Sequence, residues 1–320
     1  SNRLAERFKR LMKLATSMGK GLNTMGKAAQ RAFYMYEMGA RAARLAFQLM
    51  VKPLMDATKA AMDFERGIAE VSTLMGKDLQ ESAKDLPGMA DNVKKLAVEF
   101  GKMPVDTARA LYFAVSAGAT SAKEANEVLR VSLMLATAGL IDAEQATRAL
   151  VTVINAFGEK FENAEKISDL FFITVQKGIT TVGELANKIG RVAGMAGAAG
   201  MSMETMFTFI AAGTQVTGMT AATVTGLRSA INTLLRPGKT ARDTFKRLGI
   251  EFGASSLQGN KFIHTLREMG RRLRGDLTTK DIARFKELGV QARLTSKDIG
   301  DMIPNMRASA VVLALLRNKT

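Results

Sequence analysis

Three short features of the sequence have residue types that could support chemistry. The chain has His264 as its one histidine and no cysteine, so it lacks the further imidazoles or thiolates that a transition-metal site needs. The stretch RPGKT at 236–240 resembles the end of a phosphate-binding loop, but Thr233 stands where the first glycine is required and no strand precedes it. GMAGAAG at 194–200 lacks the Gly-x-Gly spacing of a dinucleotide-binding loop. We therefore predict no catalytic residue, no cofactor, no metal site and no enzyme activity.

Positive charge is concentrated at the two ends of the chain. The net charge is +16; residues 1–62 contribute about +9, residues 63–227 about −4 and residues 228–320 about +11. Basic segments of this kind predict an acidic partner, which would be nucleic acid, an anionic membrane or an acidic protein surface.

The densest basic cluster lies in the stretch LREMGRRLRGD at 266–276. Three of its four arginines, Arg271, Arg272 and Arg274, are the candidate contacts to DNA or to an acidic protein surface. The alternative is a solvated helix face without a partner. In either case we expect the three side chains to be exposed and to contribute little to stability.

The N-terminal region has an apolar seam, with steps of four and three residues that continue from Leu4 to Met50. This period is typical of a coiled coil or of a long packed helix. We predict a long amphipathic helix that self-associates, with a trimer as one form of the assembly. The alternatives are a basic helix that lies on its own domain and a helix that binds nucleic acid or a membrane. Pro53 is expected to kink or end the helix. The candidate oligomer seam comprises Leu4, Phe8, Leu11, Met18, Leu22 and Met25.

From residue 63 onward, glycines that can end a helix recur every 17 to 22 residues. Residues that can cap the next helix follow several of them. The pattern predicts an all-α fold, in which a long N-terminal helix precedes a core of short capped helices packed antiparallel. We divide the chain into a basic arm (1–62), a helical core (63–236) and a basic helical region (237–320). The predicted N-caps are Ser121, Asp142, Thr181, Ser202, Thr220, Thr240 and Thr295.

Several stretches of the chain resemble, in their order and spacing, the core region of phage-tail tape measure proteins. The resemblance covers roughly residues 63–255. The stretches are FERGIAEVSTLMG (64–76), LAVEFGKMPVDTARAL (96–111), SAGATSAKEA (116–125), TVINAFG (152–158), AEKISDLFFITVQKGITTVGELANKIGRV (164–192) and LRSAINTLLRPGKTARDTFKRLGIEF (227–252).

The resemblance implies a structural virion protein inside the tail tube of a phage or prophage-derived particle. Such a protein sets tail length during assembly in the host cytoplasm, and is released to help DNA cross the host envelope. Its expected partners are the tail tube protein and the proteins of the tail tip or baseplate. Family members are usually much longer, so we expect this chain to be a fragment or a partly ordered chain.

The stretch from Arg191 to Arg228 contains one acidic residue, Glu204, and no other charge between its two arginines. A membrane-spanning helix needs about 20 predominantly apolar residues, but threonines, glycines and the caps predicted at Ser202 and Thr220 divide this stretch. We favour a packed core segment, with conditional membrane insertion as the alternative. The candidate residues for close helix packing or membrane contact are Gly190, Gly194, Gly197, Gly200, Phe207 and Phe209.

Three classes of function remain open at this point. The leading interpretation is a structural tail protein. The second is a membrane-active, channel-forming protein, which would contact the host membrane transiently. An enzyme or a DNA-binding protein is the third class and is disfavoured, although nonspecific DNA contact through the basic segments stays open.

Overall fold

The computed structural model describes residues 2–75, 86–119, 121–303, 312 and 316. In these ranges the chain forms helices and turns, and the one extended pairing is an isolated bridge between Met201 and Gly259. The predicted all-α fold is therefore confirmed. The helices are α1 (Asn2–Ala46), α2 (Lys52–Leu74), α3 (Leu86–Glu99), α4 (Pro104–Ser116), α5 (Ala122–Ala138), α6 (Ala143–Phe157), α7 (Ala164–Lys177), α8 (Val182–Lys188), α9 (Gly190–Ala198), α10 (Met203–Thr217), α11 (Thr220–Leu235), α12 (Lys239–Leu248), α13 (Lys261–Arg274), α14 (Thr279–Glu287) and α15 (Ser296–Met302).

The chain divides into two compact units, Ser1–Asp63 and Phe64–Thr320. In the first unit, a π-helical turn at Phe47–Val51 joins α1 to α2. Pro53 has no N–H for the usual i−4 hydrogen bond, and the wider turn directly before it accommodates the ring. Pro53 therefore does not end the helix, because α2 continues through it to Leu74.

The second unit is built around α6. This helix packs against α4, α5 and α9, and α11 packs in turn against α9 and α10. The core continues across residue 236, since Ile231 and Phe245 belong to the same buried cluster. The further division of the chain at residue 236 stays a prediction.

Helix caps follow the sequence pattern at several positions. The hydroxyls of Ser121, Thr181 and Ser202 each accept a hydrogen bond from the amide three residues later. Thr295 and Asp298 form the complete reciprocal capping box, and Thr278 with Asp281 form a second one that we did not predict.

Two of the predicted caps are wrong, and a third has the predicted position without its hydrogen bond. Asp142 stands at the N-cap of α6, but its side chain makes no capping hydrogen bond. Met219 and Gly238 occupy the N-cap positions of α11 and α12, so Thr220 lies one position and Thr240 two positions further along, inside the helices. The hydroxyl of Thr220 instead donates to the carboxylate of Glu184 at 2.7 Å. A tertiary hydrogen bond has replaced the local one.

Gly139 does not have the left-handed conformation expected of a glycine that ends a helix. Its φ is −87°, and Leu140 takes the left-handed position with a φ of 53°. Glycine is needed at 139 for space, because a Cβ there would lie 2.7 Å from Cγ1 of Val182 at the start of α8. This close approach brings the α5–α6 and α7–α8 loops together.

Candidate functional site

The predicted oligomer seam lies on α1, whose described side chains are all exposed. Each side chain described between residues 6 and 62 is exposed. Leu11, Met18 and Met25 are 65%, 63% and 71% exposed, while the side chains of Leu4, Phe8 and Leu22 lie outside the described part.

The exposed apolar surface of α1 extends beyond that seam. Phe33, Tyr34, Met35 and Tyr36 are also largely exposed. Contiguous apolar surface of this extent is typical of a helix that has a partner. Self-association through it stays a prediction.

The nearly uncharged stretch at 191–227 forms part of the core of the second unit. Phe207 and Phe209, both on α10, are buried and make edge-to-face and tilted ring contacts with Phe171 and Phe262. Within the described residues, no helix is long and apolar enough to span a bilayer. Conditional insertion of this stretch stays a prediction.

The four candidate glycines of this stretch have different surroundings. A Cβ at Gly197 would lie 1.8 Å from the carbonyl oxygen of Ala156, so α9 and α6 approach each other there as only a glycine allows. A Cβ at Gly190 would make ordinary contacts, and one at Gly194 would meet open space. Gly200 has a left-handed φ of 75° and lies two residues after the end of α9. Of the four glycines, Gly197 is therefore the one required for the close contact between α9 and α6.

The single charge of this stretch has a partner on another helix. The carboxylate of Glu204, in the first turn of α10, lies 2.7 Å from Nζ of Lys166 on α7. The hydrogen bond from Lys166 is the main cause of the lowered pKa of Glu204. Because both side chains are about half exposed, the pair orients the helices more than it stabilises them.

The arginine cluster on α13 is not a free basic surface. Nη2 of Arg271 lies 2.5 Å from Oδ2 of Asp281, and Nε of Arg274 lies 2.8 Å from Oδ2 of Asp276. These carboxylates neutralise the charge of both arginines locally. The side chain of Arg272 is fully buried, so the expectation that all three arginines are exposed is wrong.

Arg272 holds the chain that follows α14. Its Nε donates to the carbonyl of Ala292 at 3.0 Å, its Nη2 donates to the carbonyl of Gln291, and its guanidinium lies 4.4 Å from the ring centroid of Phe285. Burial is the main cause of its lowered pKa. Arg272 therefore has a structural role, because it binds α13 to the segment at 291–292. The arginine-rich sequence did not indicate this role.

The described part of the chain offers little that could form a metal or small-molecule site. There, no group of three or more His, Asp or Glu residues is placed to hold a metal ion. His264 is exposed on α13. An open pocket of about 310 Å³ between α10 and α13 is lined mainly by apolar side chains and by Arg267, Arg271 and Arg274. We assign no ligand to this pocket.

Comparison with known proteins gives two matches. Residues 90–289 match the family model described as phage-related minor tail protein. The chain is 27% identical over 189 residues to a probable tape measure protein of Clostridium phage phiCD119. That alignment covers 57% of this chain but only 20% of the relative. No solved protein structure matches the chain significantly.

Proposed function

Because the chain belongs to the family of phage-related minor tail proteins, we propose that it acts as a tape measure inside the tail tube, where it sets the length of the tail. Its role in the tail is structural. The proposal rests on the family match, together with the relative that carries the name tape measure protein. The chain spans about a fifth of that relative, so the activity of the whole protein is part of the proposal.

The first unit has the physical form that such a role requires. α1 contains 45 residues, and at about 1.5 Å per residue it extends over about 68 Å. Its described side chains are exposed, so the helix needs other copies or tail proteins to cover its apolar residues. We propose that copies of α1 associate, as a trimer or another small assembly, within the tube formed by the tail tube protein.

The second unit supports a role in assembly and release. Its helices are short and joined by glycine-containing loops, and its core includes fully buried threonines such as Thr147, Thr214 and Thr223. We propose that this unit contacts the proteins of the tail tip or baseplate, and that it leaves the tube ahead of the DNA. Transient contact with the host membrane would then occur after release. We expect no catalytic activity in this process.

Tail length tests the proposal directly. Duplication of residues 16–43 in the phage adds four heptads to α1 and should lengthen the tail by about 42 Å, at about 1.5 Å per residue. Electron microscopy of negatively stained particles measures the change. As a control, Lys13→Arg and Lys20→Arg keep the length of α1 and should leave the tail unchanged. Tails of unaltered length after the duplication would refute a measuring role for this segment.

A further inference from the structure

Four loops of the second unit meet at one end of its helices. They connect α3 to α4, α5 to α6, α7 to α8 and α10 to α11, and together we call them the loop face. Side chains and backbone groups of neighbouring loops bind one another directly. The contacts are Lys102 Nζ to the carbonyl of Ile141 (3.2 Å), Gln145 Nε2 to the carbonyl of Gly183 (3.2 Å) and the hydroxyl of Thr180 to that of Thr220 (2.7 Å).

The loop face presents large apolar side chains to solvent, with at least one at each loop. Val98 lies in the last turn of α3, Met103 precedes α4, and the others stand in the turns between helices. They are Val98 (81% exposed), Met103 (58%), Leu140 (92%), Ile179 (58%) and Met219 (60%). Single exposed apolar residues are common on proteins, but several gathered on one face mark an interaction site.

Leu140 is the most informative of these residues. Among the described residues it is the one non-glycine with a positive φ, at 53°, a conformation that asparagine or glycine adopts far more readily than leucine. Its side chain makes almost no contact that would compensate for this strain, since it is 92% exposed. A strained and exposed leucine is best explained by a function outside its own fold.

Three backbone amides of the loop face already have hydrogen-bond acceptors within the protein. The amide of Leu140 donates to the carbonyl of Thr137 at 3.4 Å, and the amides of Ile179 and Met219 donate to the hydroxyls of Thr214 and Thr217, both at 3.1 Å. A partner that removes water from these turns would therefore leave none of these three donors without an acceptor.

The charges beside the loop face identify the kind of partner. Glu99, Asp142 and Glu184 are acidic and Lys102 and Lys177 are basic, so both signs are present and nearly balanced. DNA or an anionic membrane would require an excess of positive charge. Within the described part of the chain, Glu99, Asp142 and Lys177 form no ion pair. An apolar surface with unpaired charges of both signs is complementary to a copy of itself.

The size of the apolar patch also suits pairing with an identical face. Specific interfaces take about 800 Å² from each partner, and a little more than half of that area is apolar. A fully exposed aliphatic side chain offers roughly 60 to 120 Å² of apolar surface, on the basis of its transfer free energy. Five largely exposed side chains therefore supply most of the apolar area that one partner must contribute.

We propose that the loop face binds the loop face of a second copy of this chain about a two-fold axis, with Leu140 near its centre. The contact is separate from association through α1, because it uses other residues of the other unit. It also does not depend on the proposed tail function, since purified protein is sufficient to test it.

The absence of cysteine from the chain allows a direct test. Leu140→Cys places a thiol on the loop face, and Leu288→Cys, 63% exposed at the end of α14, is the matched control. A short bis-maleimide should link two copies of the full chain through Cys at 140 at least ten-fold faster than through Cys at 288. Equal rates for the two variants would overturn the proposal.

A second variant separates binding from folding. Leu140→Asn removes the apolar tip while asparagine tolerates the left-handed backbone, so thermal stability should stay the same or rise. In the background of Leu11→Asp and Met18→Asp, which is designed to remove association through α1, sedimentation should show at least ten-fold weaker dimerisation for Leu140→Asn. Unchanged dimerisation would overturn the proposal.

Vesicles distinguish a lipid partner. A polarity-sensitive dye attached to Cys at 140 should shift its emission to the blue as protein concentration rises. A blue shift that requires phosphatidylcholine vesicles and is independent of protein concentration would overturn the proposal in favour of a lipid surface.

Discussion

At the scale of single residues, the neighbouring arginines of α13 differ sharply in their importance to the fold. Arg272→Ala removes a fully buried side chain together with its hydrogen bonds to the carbonyls of Gln291 and Ala292, and should destabilise the protein by about 2–4 kcal/mol. Arg271→Ala breaks a half-exposed ion pair with Asp281 and should cost less than about 1 kcal/mol. Urea unfolding of the two variants measures the difference. Equal losses would contradict the structural role of Arg272.

Asp298 makes the stability of the same region dependent on pH. Burial raises the pKa of its carboxyl group, but hydrogen bonds from Arg247 and Thr295 outweigh this effect, so the pKa lies below its ordinary value. A lowered pKa stabilises the folded state above the unfolded pKa of about 3.9, and this contribution is lost as the pH falls through the folded pKa. Asp298→Asn should cost about 1–3 kcal/mol at pH 7.

The pH dependence of that cost is the test. Unfolding of the native chain and of Asp298→Asn should be compared at pH 7 and again as the pH falls below about 4. The difference in free energy of unfolding between the two proteins should shrink at acid pH. A difference that is constant with pH would mean that the hydrogen-bonding shape of the side chain matters and its charge does not.

At the scale of helices, the contact between α9 and α6 depends on one glycine. Gly197→Ala places a methyl group against the backbone oxygen of Ala156, and neither helix backbone can move away easily. The variant should lose about 3 kcal/mol or more of its free energy of unfolding. Gly194→Ala, three residues earlier on the same helix, meets open space and should stabilise the protein by up to about 1 kcal/mol. Thermal melts measure both changes: the melting temperature should fall for Gly197→Ala and stay the same or rise for Gly194→Ala.

The assembly of α1 is a second prediction at the helix scale. Leu11→Asp with Met18→Asp places charges on the predicted seam, where they would have to be buried in the assembly, and should dissociate it. Ser17→Asp, off the seam, adds a charge without that cost and serves as the control. Sedimentation at tens of micromolar protein measures the mass of the native chain, of the double variant and of the control. A monomeric native chain at these concentrations would end the coiled-coil interpretation.

At the scale of the whole molecule, the net charge of +16 predicts weak, nonspecific binding to DNA. The logarithm of affinity should fall with the logarithm of salt concentration, at a slope of about −0.9 for each phosphate neutralised. Deletion of residues 1–62, which carry about +9, should make the slope shallower. Arg271→Ala and Arg274→Ala should change it little, because both side chains already bind carboxylates.

Fluorescence anisotropy with a labelled duplex, repeated over a salt series, measures this slope. A second duplex of equal length and unrelated base sequence should give the same affinity. A strong preference for one duplex would contradict a purely electrostatic contact and favour a DNA-binding regulator. An absence of binding at low salt would identify an acidic protein surface as the partner of the basic segments.

The sequence by itself determined the helical fold, the long N-terminal helix and most of the helix ends. These features depend on side chains within one or two turns of each other, as in the capping box of Thr295 and Asp298. The order of the helical stretches also carried the resemblance to tape measure proteins, which the family match bears out.

The tertiary structure alone decided the roles of particular residues. Arg272 is buried because carbonyls about twenty residues later in the chain accept its hydrogen bonds, and Thr220 donates to a carboxylate 36 residues earlier instead of capping its helix. Gly197 and Gly194 look alike in sequence, but Ala156 of another helix faces only the first closely. The loop face likewise collects residues from four distant loops. Contacts of such separation depend on how the helices pack, and no local pattern of residue types encodes them.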